Sequence, residues 1–553
     1  MTTQPTALTG IATVYEQFLF PDSPSTNLPF ELHLDTPLNG RPGLQIIIDT
    51  EGDSVTASLH GNGYKAQWYQ MIAVPVEYNT GDGAAQGGDM VILPDEKPGY
   101  AVRKAPFKVY DCLKPVSENT ERNGTITIPA VNGRAAAYCC LIPDDELAPG
   151  DRNLTITADA QEGSQEITIA VHTANVRIPD EHFKVTNWFS LDAVTRCHDV
   201  DYGSPAFLGM LDQYIAAMRR TRQNVFYIEL DDRCVTARKP YAFSFEYIKP
   251  VIERFFAGGM TTLEIGPLLS RGFRADGTPD MLTDTFTCAM APEIDFESPE
   301  GLDITTAYLQ ALALFLEENS WDSSVLVHVH DEPDVHYADD AALESRRRQY
   351  YMAVAMLKKY LPQARVVEAV KTDNFRGGID VWVPTTSGYE AAHDTFDHMR
   401  KLGDEVWNYV CCEPEGRWLN RFLDQKVIHS RLLFWGFACN HIGGFLHWGF
   451  NQFPDGMNPF AATSCFNPTG LGTNFPCGDA FLVYPGDDGP WLSMRLEAER
   501  RGTEDLELLR LLENRNSKYF RNLVANVFRT NTDYTDDEAL FAHTYRSLLD
   551  ALE

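Results

Sequence analysis

From residue 183 onward one alternation repeats: apolar runs of strand length, then stretches with helical spacing. The strand-length runs fall at 183–189, 224–230, 261–266, 325–333, 365–370, 379–383, 405–410 and 443–448. Helical spacing occupies 206–220, 245–256, 305–318, 341–360, 389–402 and 426–440. Such alternation implies parallel pairing, because a parallel neighbour is reached only through a crossover connection. About eight units over roughly 250 residues predict a (β/α)8 TIM-like barrel. The alternative is a doubly wound open sheet, but no GxGxxG follows an early strand to support it.

The chain ahead of this region reads differently. Up to about residue 180, short period-two runs of Thr, Ile and Val are separated by Gly, Asp, Asn and Pro, as at 44–49, 54–59, 124–129, 154–158 and 166–173. That pattern predicts an antiparallel β-sandwich. Residues 176–181 read as the boundary. After the last strand-length run, the Gly-, Pro- and Asn-rich stretch 449–490 is too long for an idle connector and falls on the catalytic face of a barrel. Helices are expected at 496–512, 518–528 and 536–552, with Ser493 capping the first. Arg495, Glu497, Arg500, Glu504 and Asp505 are mostly spaced for pairing within that helix. The fold class expected is multidomain β plus α/β. It comprises an N-terminal β-sandwich domain (1–180), a (β/α)8 catalytic barrel (181–515) and C-terminal helices packed on the barrel (516–553).

Charge and cysteine usage narrow the partners. The chain has 78 acidic and 46 basic residues, a formal charge of −32, which disfavours nucleic acid and anionic membranes. No apolar run reaches the ~18 residues of a membrane span, so no membrane insertion is expected. The N-terminus does not read as a signal peptide. Eleven cysteines, with vicinal pairs at 139–140 and 411–412 inside apolar runs, suggest reduced thiols in a cytoplasmic protein. Nothing here sets the oligomeric state.

The fourth run closes on His328-Val-His330-Asp-Glu-Pro333, which places two adjacent carboxylates where barrel active sites lie. Carboxylates that cut a glycosidic bond usually flank the sugar from opposite sides. Adjacent ones suit a scheme in which the substrate's own 2-acetamido oxygen is the nucleophile. Asp331 would orient the acetamido N–H, and Glu332 would act as general acid and then general base. In a regular strand His328, His330 and Glu332 share one face and Asp331 points away. The scheme therefore needs the strand to twist or fray, with Pro333 ending it and restraining Glu332 to an extended conformation. Tyr409, Trp407 and Trp448, late on the seventh and eighth runs, are candidate sugar platforms; Tyr389 and His330 are further substrate-binding candidates. Glu229 and Asn451 are placed to bind hydroxyls. No metal or cofactor is expected in this scheme. A metal-dependent hydrolase using His328 and His330, with Asp331 and His336, is a competing reading. A non-catalytic carbohydrate-binding protein on a degenerate barrel is another.

Several segments resemble glycoside hydrolase family 123 and its relatives. They are His330-Asp-Glu-Pro333, Gly444-Phe-Leu-His-Trp-Gly449, Tyr484-Pro-Gly-Asp-Asp-Gly-Pro490, Ser493-Met-Arg-Leu-Glu497 and Gly502-Thr-Glu-Asp505. The resemblance spans roughly residues 180 to 515. It implies an exo-acting, retaining β-N-acetylgalactosaminidase, with Asp331 orienting the acetamido group and Glu332 as acid/base, acting on a glycan or glycoconjugate. The choice of N-acetylgalactosamine comes from the resemblance alone.

Overall fold

The strand-length runs pair side by side and in parallel. The computed structural model describes residues 7–82, 90–93, 95–116, 124–469 and 474–553. Val225–Glu229, Thr262–Gly266, Val325–Val327, Arg365–Val370, Val381–Pro384 and Glu405–Val406 form one consecutive parallel series. The last of these continues past Trp407 as Asn408–Tyr409, which pairs with Gly444–His447, and that strand pairs with Lys184–Asn187. Asn224 spans the remaining seam, between the first and second strands. Its N–H donates to Val185 O at 3.3 Å, and its Oδ1 accepts from Val185 N at 3.2 Å. Eight parallel strands thus close into a ring. Val225, Leu326, Val367, Val381, Val383, Trp407 and Leu446 pack together in one cluster.

Helices follow most strands, and their starts are set by side-chain caps. Ser204 and Ser298 cap Pro205–Arg220 and Pro299–Glu318, each with proline at the first helical turn, and Asp339 caps Asp340–Tyr360. Residues 371–380, which show no helical spacing, form turns between the fifth and sixth strands, so the alternation is incomplete there. The fourth strand stops at Val327, well short of the 325–333 run. His328 N still donates to Ile265 O of the third strand, but the Glu368 carboxylate accepts the donors after it, Val329 N at 3.1 Å and His330 N at 3.3 Å, in place of a neighbouring strand.

The front of the chain forms two halves, antiparallel except where Glu31–Pro37 runs parallel to Gly163–Ala174, joined through Thr125–Val131, which pairs with Arg134–Pro143 at one end and Ser54–His60 at the other. Ile46, Trp68, Ile126, Ile156 and Ile169 belong to the core between them. The 13-stranded network also takes in Tyr484–Pro485 and Pro490–Ser493, with Leu492 opposite Leu113 and Ser493 opposite Cys112. Ser493 then caps Met494–Val524, accepting from Leu496 N. The expected pairing within this helix holds for Arg500 with Glu497 and Glu504. It fails for Arg495, which reaches Asp111 of the front sheet, and for Asp505, which takes Arg431; Glu497 is also shared with Arg220. Arg495, Glu497, Arg500, Asp505 and Arg431 are buried, and each buried charge takes the partner its packing brings close. The helix kinks at Asn516 (φ −154°, ψ 83°), and Glu538–Leu552 closes the chain. No helix among the described residues is long and apolar enough to cross a membrane.

Gly444 tests the packing inside the ring. A Cβ there would meet Trp407 Cδ2 at 2.5 Å. Gly444→Ala is expected to cost about 1–3 kcal/mol through overpacking, read as a lower urea midpoint. An unchanged midpoint would mean that the indole is not held against this strand.

Candidate active site

The carboxyl ends of the ring strands surround a cavity of about 670 Å³, within the usual range for small-ligand sites. Trp188 follows the first strand, Glu229 ends the second, Asp331 and Glu332 follow the fourth, Tyr409 ends the seventh and Trp448 follows the eighth; all line it. The 449–490 stretch adds Gln452, Asn467, Pro468, Thr469 and Phe475, and the front of the chain adds Met90.

The turn after the fourth strand decides what the carboxylates face. Glu332 has φ +50°, so it is left-handed and not extended, contrary to the conformation expected before Pro333. A non-glycine residue held there carries a conformational cost that its surroundings must offset. Arg271 Nη2 donates to Glu332 O at 2.6 Å and Val335 O at 3.3 Å. Buried Arg346 donates to Pro333 O, Val335 O and His336 O at 3.0–3.3 Å. Asp334 accepts from Thr372 N at 2.7 Å and Thr372 Oγ1 at 2.6 Å, tying the turn to the end of the fifth strand. Two neighbouring carboxylates that a straight strand would send to opposite faces therefore line one cavity.

Beneath the turn lies a buried charged layer. His328 Nε2 is 2.6 Å from Glu264 Oε1, and its Nδ1 is 3.2 Å from Glu368 Oε1. Burial opposes protonation, but the hydrogen bonds to both glutamates outweigh it and push His328 up to about 10. Glu264 also accepts from Trp188 Nε1 at 3.0 Å and so orients a cavity wall that stacks on Tyr227, with ring centroids 4.5 Å apart. Glu368 also accepts from Tyr350 Oη at 2.9 Å. His330 stacks on Phe286 at 4.2 Å, outside the cavity, and burial drives its pKa well down. Both ring nitrogens of His328 are thus engaged by carboxylates, and His330 is turned away, so the histidines do not converge as a ligand set. Among the described residues, the group close enough to share an ion is His172, Asp550 and Glu553, on the front sheet and the last helix.

In the cavity itself, burial and then the neighbouring Glu332 carboxylate push Asp331 up to about 7. Two like charges are costly to hold in a buried site, so the pair keeps one proton near neutral pH. Tyr409 Oη donates to Glu332 Oε1. Farther along the wall, burial pushes Glu415 up to about 8, and Glu413 pairs with Lys371 Nζ at 2.6 Å.

Of the residues singled out from sequence, Asp331, Glu332, Tyr409, Trp448 and Glu229 meet at the cavity, as does His336 of the competing metal reading. Trp407 lies outside it; two residues before Tyr409 on the same strand face, it sits one layer deeper against Gly444. Asn451 is occupied elsewhere, its Oδ1 accepting from Ser190 N at 2.8 Å and its Nδ2 donating to Ser190 O at 3.0 Å. Tyr389 is buried among helices, its hydroxyl bonded to Asp397 and Asn440 O. His330 is drawn below the cavity by Phe286. Trp188, one of the aromatics near the strand ends but not among the foremost candidates, also lines the cavity; it is second from the end of the first run, as Tyr409 is of the seventh. Glu413, Glu415, Gln452, Asn467 and Met90 lie in loops with no sequence signal for inward placement.

Comparisons with known proteins give the family and the fold. The family model described as "Glycoside hydrolase 123, catalytic domain" matches residues 188–512. A family 123 glycoside hydrolase from Clostridium perfringens, reported with the details of glycolipid glycan hydrolysis, has the same fold. Its TM-score is 0.67 at 13% identity, covering 99% of this chain and 98% of that chain. A family 39 glycoside hydrolase from Bacteroides cellulosilyticus WH2 gives a TM-score of 0.38 at 13% identity, over 87% of this chain and 82% of that chain. No curated protein sequence matches.

The buried layer makes its own prediction. His328→Gln leaves two buried glutamates without their cation and is expected to cost about 3–5 kcal/mol. Because the folded pKa of His328 is raised, its stabilisation is fully present below about pH 6.5 and fades as pH rises through about 10. Urea unfolding of both proteins should show the gap narrowing from pH 6 to pH 10. A gap independent of pH would mean that His328 is not held as the cation.

Proposed function

The chain belongs to glycoside hydrolase family 123, and on that premise we propose that it is an exo-acting, retaining β-N-acetylgalactosaminidase. It removes a terminal sugar from a glycan or glycoconjugate by acetamido-assisted catalysis. The ring with its helices (181–515) is taken as a (β/α)8 catalytic barrel, the front (1–180) as a β-sandwich, and 516–553 as helices packed on the barrel. The observation that carries the proposal is the placement of Asp331 and Glu332, neighbours in sequence, on one cavity with Tyr409 bonded to Glu332.

The mechanism moves one proton within this pair. When the acetamido N–H donates to Asp331, it favours the carboxylate there and leaves the shared proton on Glu332. Glu332 gives that proton to the leaving oxygen as the acetamido oxygen attacks the anomeric carbon, forming an oxazolinium ion. Glu332, now a carboxylate, takes a proton from water as the water attacks the same carbon and reopens the ring. Two inversions give net retention. Trp448 and Trp188 supply apolar walls for the sugar, and Glu229 is available to a hydroxyl.

Aryl glycosides test the proposal. Aryl β-N-acetylgalactosaminide should be cleaved far faster than the matching β-galactoside, which has no acetamido group. Glu332→Gln should keep part of its activity on aryl substrates with good leaving groups, whereas Asp331→Asn should lose about 10²–10⁴-fold even on those. Comparable rates on the galactoside, or near-wild-type rates for both variants, would remove the pair from this role. The pH profile is a separate check. Loss of the shared proton removes the general acid, so kcat/KM on poor leaving groups should fall as pH rises above about 7. A profile flat from pH 6 to 9 would contradict proton sharing.

A further inference from the structure

The chain has two vicinal cysteine pairs, and the fold treats them oppositely. Cys139 and Cys140 lie within the strand Arg134–Pro143, whose pleat sends them into different cores. Cys411 and Cys412 come just after the seventh ring strand, which ends at Tyr409. There the chain leaves the pleat, both sulfurs turn to the same side with Sγ–Sγ 3.8 Å, and both residues line the cavity that holds Asp331 and Glu332. The bend is held firmly. Cys411 N donates to Glu413 O at 2.8 Å, and fully buried Asn420 donates from Nδ2 to Cys411 O at 2.9 Å and Pro414 O at 3.1 Å.

Two sulfurs bound to one tetrahedral ion at 2.3 Å each lie about 3.8 Å apart. Trivalent arsenic is pyramidal, with a narrower S–As–S angle than a tetrahedral ion, so the pair needs only a small closure to reach its bidentate bite. We propose that Cys411 and Cys412 form a dithiol site in the cavity for a soft, thiophilic centre, best matched by a trivalent arsenical, and that its occupancy blocks the cavity. Both thiols are held above the usual range. At Cys411 the contact with Cys412 and burial act together; at Cys412 that contact pulls the other way, and burial together with the Asp479, Glu413 and Glu332 carboxylates outweighs it. Protonated thiols suit an arsenoxide. Two S–H bonds and the As=O bond are exchanged for two As–S bonds and one water, and arsenic stays trivalent. The site itself stands on geometry alone, while the blocking of turnover rests on the proposed glycosidase function.

Phenylarsine oxide is the probe. In the native full-length protein it should add once per chain and shield Cys411 and Cys412 from iodoacetamide. Trypsin then releases peptide 402–417, which carries both cysteines and no other. A dithiol such as 2,3-dimercaptopropanol should strip the adduct, whereas 2-mercaptoethanol at equal thiol concentration should not. Cys411→Ser and Cys412→Ser should each lose retention of the arsenical. Full alkylation of 402–417 in the presence of the arsenical, or an adduct on another peptide, overturns the site. These readouts need no turnover, so they stand whatever the substrate proves to be. On wild-type protein with measurable aryl-glycosidase activity, the adduct should abolish hydrolysis and dimercaptopropanol should restore it. Full activity with the adduct in place overturns the blocking.

Discussion

Two adjacent residues on a pleated strand face opposite ways, and a site that needs both carboxylates on one sugar must break that rule. Here the break is a single left-handed residue, Glu332, at φ +50°. A side chain there costs on the order of 1–3 kcal/mol. The cost is offset where it arises, because Arg271 and Arg346 donate to the carbonyls of residues 332, 333, 335 and 336. Hydrogen bonds from a guanidinium are stronger than neutral ones and hold these carbonyls in fixed directions. The placement of both acids on one cavity follows from this turn.

Crowding acids has an electrostatic consequence that the structure handles in layers. Below the cavity, Glu264 and Glu368 share the His328 imidazole, so three ionisable groups are held with one cation between two anions. Glu264 Oε1 also accepts from Trp188 Nε1, and the other oxygen of Glu368 holds the backbone leading to Asp331. Above that layer, Asp331 and Glu332 have no such cation between them, and the cheaper solution is to keep a proton. A proton held near neutral pH beside an ionised carboxylate is what a general acid with an orienting partner needs. The same burial that makes the pair hard to ionise also makes it useful.

Much of this was legible in the chain. Seven of the eight strand-length runs stand in the structure close to where the sequence placed them; the fourth is strand over its first three residues only, and the acid pair lies in the turn beyond it. What was not legible depends on depth and on distant partners. Trp407 and Tyr409 are equivalent by strand periodicity, yet one is a layer below the other and packs on Gly444. Asn451 follows a catalytic-face strand, but its amide serves the Ser190 backbone. Pairing of Pro490–Ser493 with the front sheet, and of Arg495 with Asp111, joins segments hundreds of residues apart that carry no local mark of each other. The left-handed Glu332 is the sharpest case. A following proline favours extended backbone, and partners remote in sequence, Arg271, Arg346 and Thr372 among them, hold the turn against it.

The central claim is that Asp331 holds the substrate's acetamido group as the nucleophile. Calorimetric titration with the thiazoline derived from N-acetylgalactosamine, a stable mimic of the bicyclic intermediate, tests it most directly. Wild-type protein is expected to bind this thiazoline at least about 100-fold more tightly than N-acetylgalactosamine itself, as a mimic of a stabilised intermediate should. Asp331→Asn should lose most of that preference. Equal affinity of the wild-type protein for the thiazoline and the free sugar, or a preference that survives in Asp331→Asn, would contradict it.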